Sequence, residues 1–391
     1  MTKTYKHFHR IAWAATLLAL CVIVFGGFVR LSNAGLSCPD WPTCYGRATW
    51  PTDDHEVVAA NAVFERVVES HKTWREQLHR HLAAILGLFV LSMSLLEAKR
   101  RARAIWAPVA CATLVAVSIP LYMQQQYYPA FALVSAGLLG LFGFAWWAGR
   151  EPFIRITAIL LAVIIMQAML GMWTVTWLLK PIVVMAHLLG GLTTFSLLTW
   201  LSWKATPNTE LINAIATPLK RWLWIGLVLL AIQIALGGWT SANYAALACG
   251  AEFPKCAGSW LPEHNFSEAF ILWRGIGVDY EGGVLDGPAR AAIQLMHRGM
   301  ALIVTVYFVV LGIGMFRTNG LKYWSGLLLL LIICQVALGI GNVLFSLPLW
   351  VAVAHNAGAA LLLFVVVGLL ARLREPEQEL ELEPEPEPAA T

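Results

Sequence analysis

Charge is what this chain has least of. Only 13% of its 391 residues are Asp, Glu, Lys or Arg, while 59% are hydrophobic. That balance excludes an ordinary soluble domain and fits a polytopic membrane protein. No stripe of basic residues runs along a polar module, which removes nucleic acid as a partner. Cysteine is also sparse, at seven, and no Cys-x-x-Cys pair occurs, so a structural zinc site is disfavoured. What is abundant is tryptophan, at eighteen, several at the ends of apolar runs (Trp13, Trp106, Trp177, Trp203, Trp350) where interfacial rings are favoured.

Ten apolar runs are long enough, or nearly so, to span a bilayer. They lie near 11–30, 78–97, 105–122, 129–148, 153–177, 181–203, 222–241, 291–316, 323–346 and 349–371, the third and fourth being the shortest. Basic segments alternate with them: Lys3/Lys6/Arg10, Lys99–Arg103, Arg150/Arg155, Lys204 with Lys220/Arg221, Arg317/Lys322 and Arg372/Arg374. The alternation predicts both termini in the cytoplasm and the long loops 31–76 and 242–289 outside. The acidic, Pro-rich residues 375–391 are expected to be a disordered tail.

The chain repeats itself. FGG at 25–27 returns as LGG at 236–238, and a cysteine follows the middle residue of each by 12 positions. LHR at 78–80 returns as MHR at 296–298, and MQAMLG at 166–171 as CQVALG at 334–339. Gln167 to His187 and Gln335 to His355 are both 20 residues. This is a duplicated four-helix unit, 1–204 and 205–374, related by a pseudo-two-fold along the membrane normal. His79 to His297 is 218 residues and Gln167 to Gln335 is 168, so the first unit carries about 50 extra residues. These are the third and fourth runs, an inserted pair at 105–148. Because the first run pairs with the seventh, it reads as a structural helix rather than a cleaved signal.

His79, His187, His297 and His355 lie at similar depth, two in each unit. One membrane histidine is more often a satisfied packing residue than a ligand, but four matched by duplication reverse that weighting, since ionisable groups are costly in lipid. A histidine pair between facing helices suits the two axial positions of a haem better than a zinc ion. The remaining six histidines (7, 9, 55, 71, 81 and 264) have no counterpart in the other unit and read as surface or interfacial residues. Cys38/Cys44 and Cys249/Cys256 occupy equivalent outer loops and are disulfide candidates in an oxidising compartment. Cys21, Cys111 and Cys334 lie in apolar runs and read as small hydrophobes. The units differ at one telling place: Glu76 precedes His79 by three residues, whereas Gln294 precedes His297. A carboxylate beside a macrocycle can move protons and an amide cannot; the bland alternative is a first-turn acid favoured by the helix dipole.

RLSNAGLSCPDWPTCYG, EQLHR, QAMLGMWTVT, HLLGG, IALGGWTSANYAALAC and WRGIGVDYEGG resemble the proteobacterial branch of the haem A synthase family, from about residue 10 to 372. The family usually has eight helices, so the inserted pair is a departure. The resemblance implies oxidation of the ring-D methyl of haem O to a formyl group, by two hydroxylations and loss of water, for cytochrome oxidase biogenesis. It assigns a cofactor haem B to His297 and His355, and substrate haem O to His79 and His187, with Glu76 catalytic. Arg30, Arg80 and Arg298, near the outer boundary, are candidate contacts for haem propionates. Expected surroundings are the bacterial inner membrane, and candidate partners are a haem O synthase, cytochrome oxidase assembly factors and a second copy of the chain. Two other readings compete: a bis-haem cytochrome passing electrons from quinol, and a haem transporter.

Overall fold

The computed structural model describes residues 7–376; the N-terminal Lys3 and Lys6, and residues 377–391 of the expected acidic tail, lie outside the described residues. Ten helices among them are long and apolar enough to cross a membrane: α1 (Phe8–Leu31), α3 (Ser70–Ala98), α4 (Trp106–Met123), α5 (Tyr127–Trp147), α6 (Pro152–Thr176), α7 (Pro181–Ala205), α8 (Ala216–Ala242), α10 (Gly287–Phe316), α11 (Lys322–Leu344) and α12 (Leu349–Arg372). Two short helices, α2 (Asp54–Val63) and α9 (Phe266–Ala269), sit in the long loops. The only described strands, β1 (Leu211–Ile212) and β2 (Leu373–Arg374), form a two-residue parallel pair that ties the start of α8 to the end of α12. This is an all-α, multi-pass membrane protein.

Helix ends follow local chemistry. Pro181 opens α7 and Pro152 opens α6, where a missing N–H costs nothing. Asp286 caps α10 by accepting from the amide of Ala289 at 2.8 Å. The interiors leave large apolar side chains facing outward, among them Leu17, Leu88, Leu139, Leu302 and Val310. In water these would be a liability; against lipid they cost nothing.

Two closed rings of four helices organise the bundle. In one, α1 packs on α3 and α7, α3 on α6, and α6 on α7; in the other, α8 packs on α10 and α12, α10 on α11, and α11 on α12. The rings meet through α7 against α12, α1 against α12, and α7 against α8. Exchanging α1 with α8, α3 with α10, α6 with α11 and α7 with α12 leaves this contact pattern unchanged. A continuous apolar core, including Phe8, Phe195, Leu198, Leu223, Phe308 and Leu369, runs through both rings. Polar groups inside it are paired where they can be, as Thr16 and Ser202 are at 2.9 Å between α1 and α7. The pair α4–α5 stands outside the first ring, packed on itself, with α5 against α6 and α4 touching α3.

At 29 and 30 residues, α3 and α10 are about 43–45 Å long, well beyond a hydrocarbon core of about 30 Å. The excess carries the start of each helix out to the level of the loops.

Candidate functional site

Each ring brings two histidines together near the loop-bearing end. His79 is the tenth residue of α3 and His187 the seventh of α7; His297 is the eleventh of α10 and His355 the seventh of α12. Within each ring the two histidines come from helices at opposite corners, α3 and α7 in the first and α10 and α12 in the second. All four are half-buried, although they sit on helices of a packed bundle.

Glycine makes the room. A Cβ on Gly26 of α1 would come within 2.7 Å of Cε1 of His79, and one on Gly171 of α6 within 3.1 Å of Cε1 of His187. In the second ring, Gly237 of α8 stands in the same relation to His297 at 3.2 Å, and Gly339 of α11 to His355 at 3.1 Å. Each imidazole therefore lies against a bare stretch of neighbouring helix. Glutamines complete the seats: Gln167 donates to the carbonyl of His187 at 2.6 Å, and Gln335 approaches His355 Nε2 at 3.5 Å. One contact is not shared. Gln233 on α8 reaches His297 Nδ1 at 3.2 Å, whereas the equivalent place on α1, four residues before Gly26, is Val22. Accordingly His79 Nδ1 is buried without a hydrogen-bond partner, as are those of His187 and His355.

Above the pairs lie the disulfide loops. Cys38 is joined to Cys44 and Cys249 to Cys256. Arg80 donates to the carbonyls of Cys38 (3.2 Å), Asp40 (2.8 Å) and Thr43 (2.7 Å). Arg298 does the same for Glu252 (3.1 Å), Lys255 (3.0 Å) and Pro254 (3.5 Å). The arginine after the first histidine of each pair thus holds a disulfide loop over its own ring. Arg80 also pairs with Glu76 Oε1 at 2.5 Å, so four of its five N–H groups are committed within the protein. Glu76 is buried; its Oε2 accepts from the amide of Cys38 at 2.8 Å and from Ser37 Oγ at 3.1 Å. Gln294 instead donates to the carbonyl of Ala246 at 2.7 Å. Arg30 bridges the rings, giving N–H groups to Tyr244 Oη (3.0 Å) and the carbonyl of Ser241 (2.7 Å).

Among the histidines without counterparts, His81 contacts the carbonyl of Ala48 at 2.9 Å and His264 that of Pro262 at 2.8 Å. His55 stands with Asp53 and Glu56 on the outer loop, but Glu56 is already paired with Arg47.

Sequence reasoning missed how the second long loop crosses over. The amide of Tyr280 donates to the carbonyl of Leu178 in the α6–α7 turn at 3.1 Å, Glu281 pairs with Arg66 of the first loop, and Trp273 packs edge-on against Trp177 at 6.1 Å. Beneath Trp273 lies Lys180, fully buried, its Nζ 3.5 Å from the ring centroid and 5.4 Å from that of Trp177. Burial also raises the phenol pKa of two loop tyrosines, Tyr280 and Tyr45, the latter to about 12. A run such as WRGIGVDYEGG has no period that reveals where it lands; only its aromatic and glycine content hinted at a packed loop.

Fold and site together define a multi-pass membrane protein with two glycine-seated histidine pairs, each beneath its own disulfide loop. Residues 9–119 and 130–367 match the family described as cytochrome oxidase assembly protein. The chain is 39% identical over 362 residues to "Heme A synthase" of Shewanella oneidensis, covering 92% of this chain and 93% of that one. It is 25% identical to the protein of the same name from Wolbachia pipientis subsp. Culex pipiens (87% and 90% covered), and 24% identical to that of Caulobacter sp. (93% and 95%). The chain belongs to the cytochrome oxidase assembly protein family.

Proposed function

We propose that this protein is a haem A synthase, converting the ring-D methyl of haem O to a formyl group. The observation that carries the reading is the two facing histidine pairs, on a chain that aligns with enzymes of that name along nearly its whole length. The residues fit a haem: histidines from opposite corners of each ring would offer two imidazole nitrogens to an iron, and the glycines let each imidazole lie back against the neighbouring helix. His79 and His187 hold substrate haem O; His297 and His355 hold haem B. When bound, haem B supplies one-electron chemistry. Gln233 fixes the orientation of His297, as expected of a ligand that stays in place.

The chain's own part is to bind, orient and exclude water. Arg80 and the Cys38–Cys44 bridge keep the first loop closed over the substrate. Glu76, one turn from His79, exchanges the protons that oxidation of the methyl releases. Proton uptake at its Oε1 competes with the Arg80 ion pair, so the same carboxylate links protonation to loop closure. The duplicated units 1–204 and 205–374, the insertion 105–148, the inner-membrane location and the cytoplasmic termini complete this reading. The shared contact pattern of the two rings and the alternating basic segments support them.

The test is haem extraction from cells expressing the protein together with a haem O source, read by chromatography and mass. Haem A is the expected product. Unchanged haem O would overturn the reading in favour of an electron-passing cytochrome or a transporter.

A further inference from the structure

Lys180 is a buried cation that the mechanism leaves unused. It is fully buried, and its Nζ has no hydrogen-bond partner among the described residues. Among the described residues no carboxylate forms an ion pair with it. The acids of the loop above it are engaged elsewhere: Glu268 with Arg274, Glu281 with Arg66, and Asp279 with the amide of Glu281. What surrounds it are the faces of Trp273 and Trp177. Two indoles stabilise an ammonium only modestly, and a buried charge without a counter-ion is costly. The site is built for a cation and lacks its anion.

Position names the anion. Lys180 precedes His187 by seven residues, two helical turns, so it lies on the same face of α7 about 10.5 Å closer to the loops. A macrocycle held through its iron by His187 extends its carboxylate-bearing edge over about that span. The N-terminus of α7, whose N-cap position Lys180 occupies without a side-chain capping bond, adds a positive field of its own. Two arginines near the loops are committed elsewhere: Arg80 gives four N–H groups to the protein, and Arg298 serves its loop carbonyls; Arg75 lies against the rings of Phe28 and Trp74. In the second ring, the residue seven before His355 is Pro348, with no charge at all.

We propose that Lys180, boxed by Trp177 and Trp273, receives a propionate of haem O at the first site and thereby sets how the substrate is turned about its axial bonds. The proposal rests on the haem A synthase reading. It makes the second outer loop, which supplies Trp273, a wall of the first ring's site.

The experiment uses the full chain in lipid nanodiscs, titrated with haem O and with its dimethyl ester, in which both propionate charges are removed. Binding to the first site is the part of the Soret change lost in His79→Ala. In unaltered protein the ester should bind at least about tenfold more weakly than the acid, the scale of one charge-assisted hydrogen bond. In Lys180→Met the acid should fall to the level of the ester, bringing the ratio near one, and Lys180→Arg should restore part of it. Because acid and ester are compared within one variant, a general loosening of the loop does not mimic the result. An undiminished ratio in Lys180→Met, with His79-dependent binding intact, overturns the role of Lys180. The same outcome with loss of copurifying anionic lipid would give Lys180 to a headgroup phosphate instead. Absence of any His79-dependent binding in unaltered protein would overturn the substrate reading itself.

Discussion

The two rings have the same frame and differ in a handful of side chains. Both seat each histidine on a glycine, and both use the arginine after the first histidine to hold a disulfide loop. Against that background the differences stand out. The first ring has Glu76 where the second has Gln294, Val22 where the second has Gln233, and Lys180 where the second has Pro348. The second ring thus contacts one of its histidines, His297, through a side-chain amide at Nδ1, while the first has no such contact and adds a carboxylate and an ammonium. In the function proposed above, two like frames serve binding, and the polar residues at the lip of one make that side reactive.

The comparison breaks most directly at the histidines. His297→Ala or His355→Ala should remove the copurifying low-spin haem B spectrum completely, while His79→Ala or His187→Ala should leave it largely intact. Loss of that spectrum from the first-ring variants alone would mean the assignments are reversed. Next in size is Glu76→Gln, which makes the first ring resemble the second. The amide still accepts from the Cys38 amide, so the protein should fold and keep haem B. Haem A should fall by about a hundredfold or more, the usual contribution of a positioned proton carrier, with haem O or a hydroxylated intermediate accumulating. Haem A made at the normal rate would reduce Glu76 to a clamp on the disulfide loop.

Gln233→Leu tests the opposite direction by giving His297 the apolar neighbour that His79 has. Haem B affinity should fall about tenfold, within the range found when a ligand histidine loses its supporting contact, and haem transfer to apomyoglobin would measure it. Smallest are the disulfides. Closing loops of seven and eight residues contributes only about 2–2.5 kcal/mol each, so Cys38→Ser and Cys249→Ser should lower the melting temperature slightly. Their clearer readout is faster protease cleavage within the loops. Unchanged cleavage, or free thiols at all four positions of non-reduced protein, would show that the bridges do not hold these loops.

Much of this was legible in the sequence, because lipid enforces simple rules. Ten apolar runs gave ten helices, including the short third and fourth, since each span must satisfy its own backbone hydrogen bonds. The four histidines stood out because recurrence at fixed spacing marks equivalent places on a frame, and the glycines nearby fell where the rings needed space. The jobs of the charged residues were not legible. Nothing local distinguishes Arg80, which holds a loop, from a residue that meets a ligand, and nothing in the residues around Lys180 marks it as buried. Its burial is created by Trp273, 93 positions away in a loop whose path is set by tertiary contacts alone. Helix α2 was also unforeseen, being too short and polar to signal above the loop around it.

Gly26 and Gly27 are neighbours in the chain, yet they face different sites. A side chain on Gly26 would strike His79 of its own ring; one on Gly27 would meet Asn356, the residue after His355 in the other. Across the bundle, Gly237 touches His297 while Gly238 faces Leu188, the residue after His187. Helices α1 and α8 are therefore party walls, one residue thick. Substitutions a single position apart in these dipeptides should report on opposite rings.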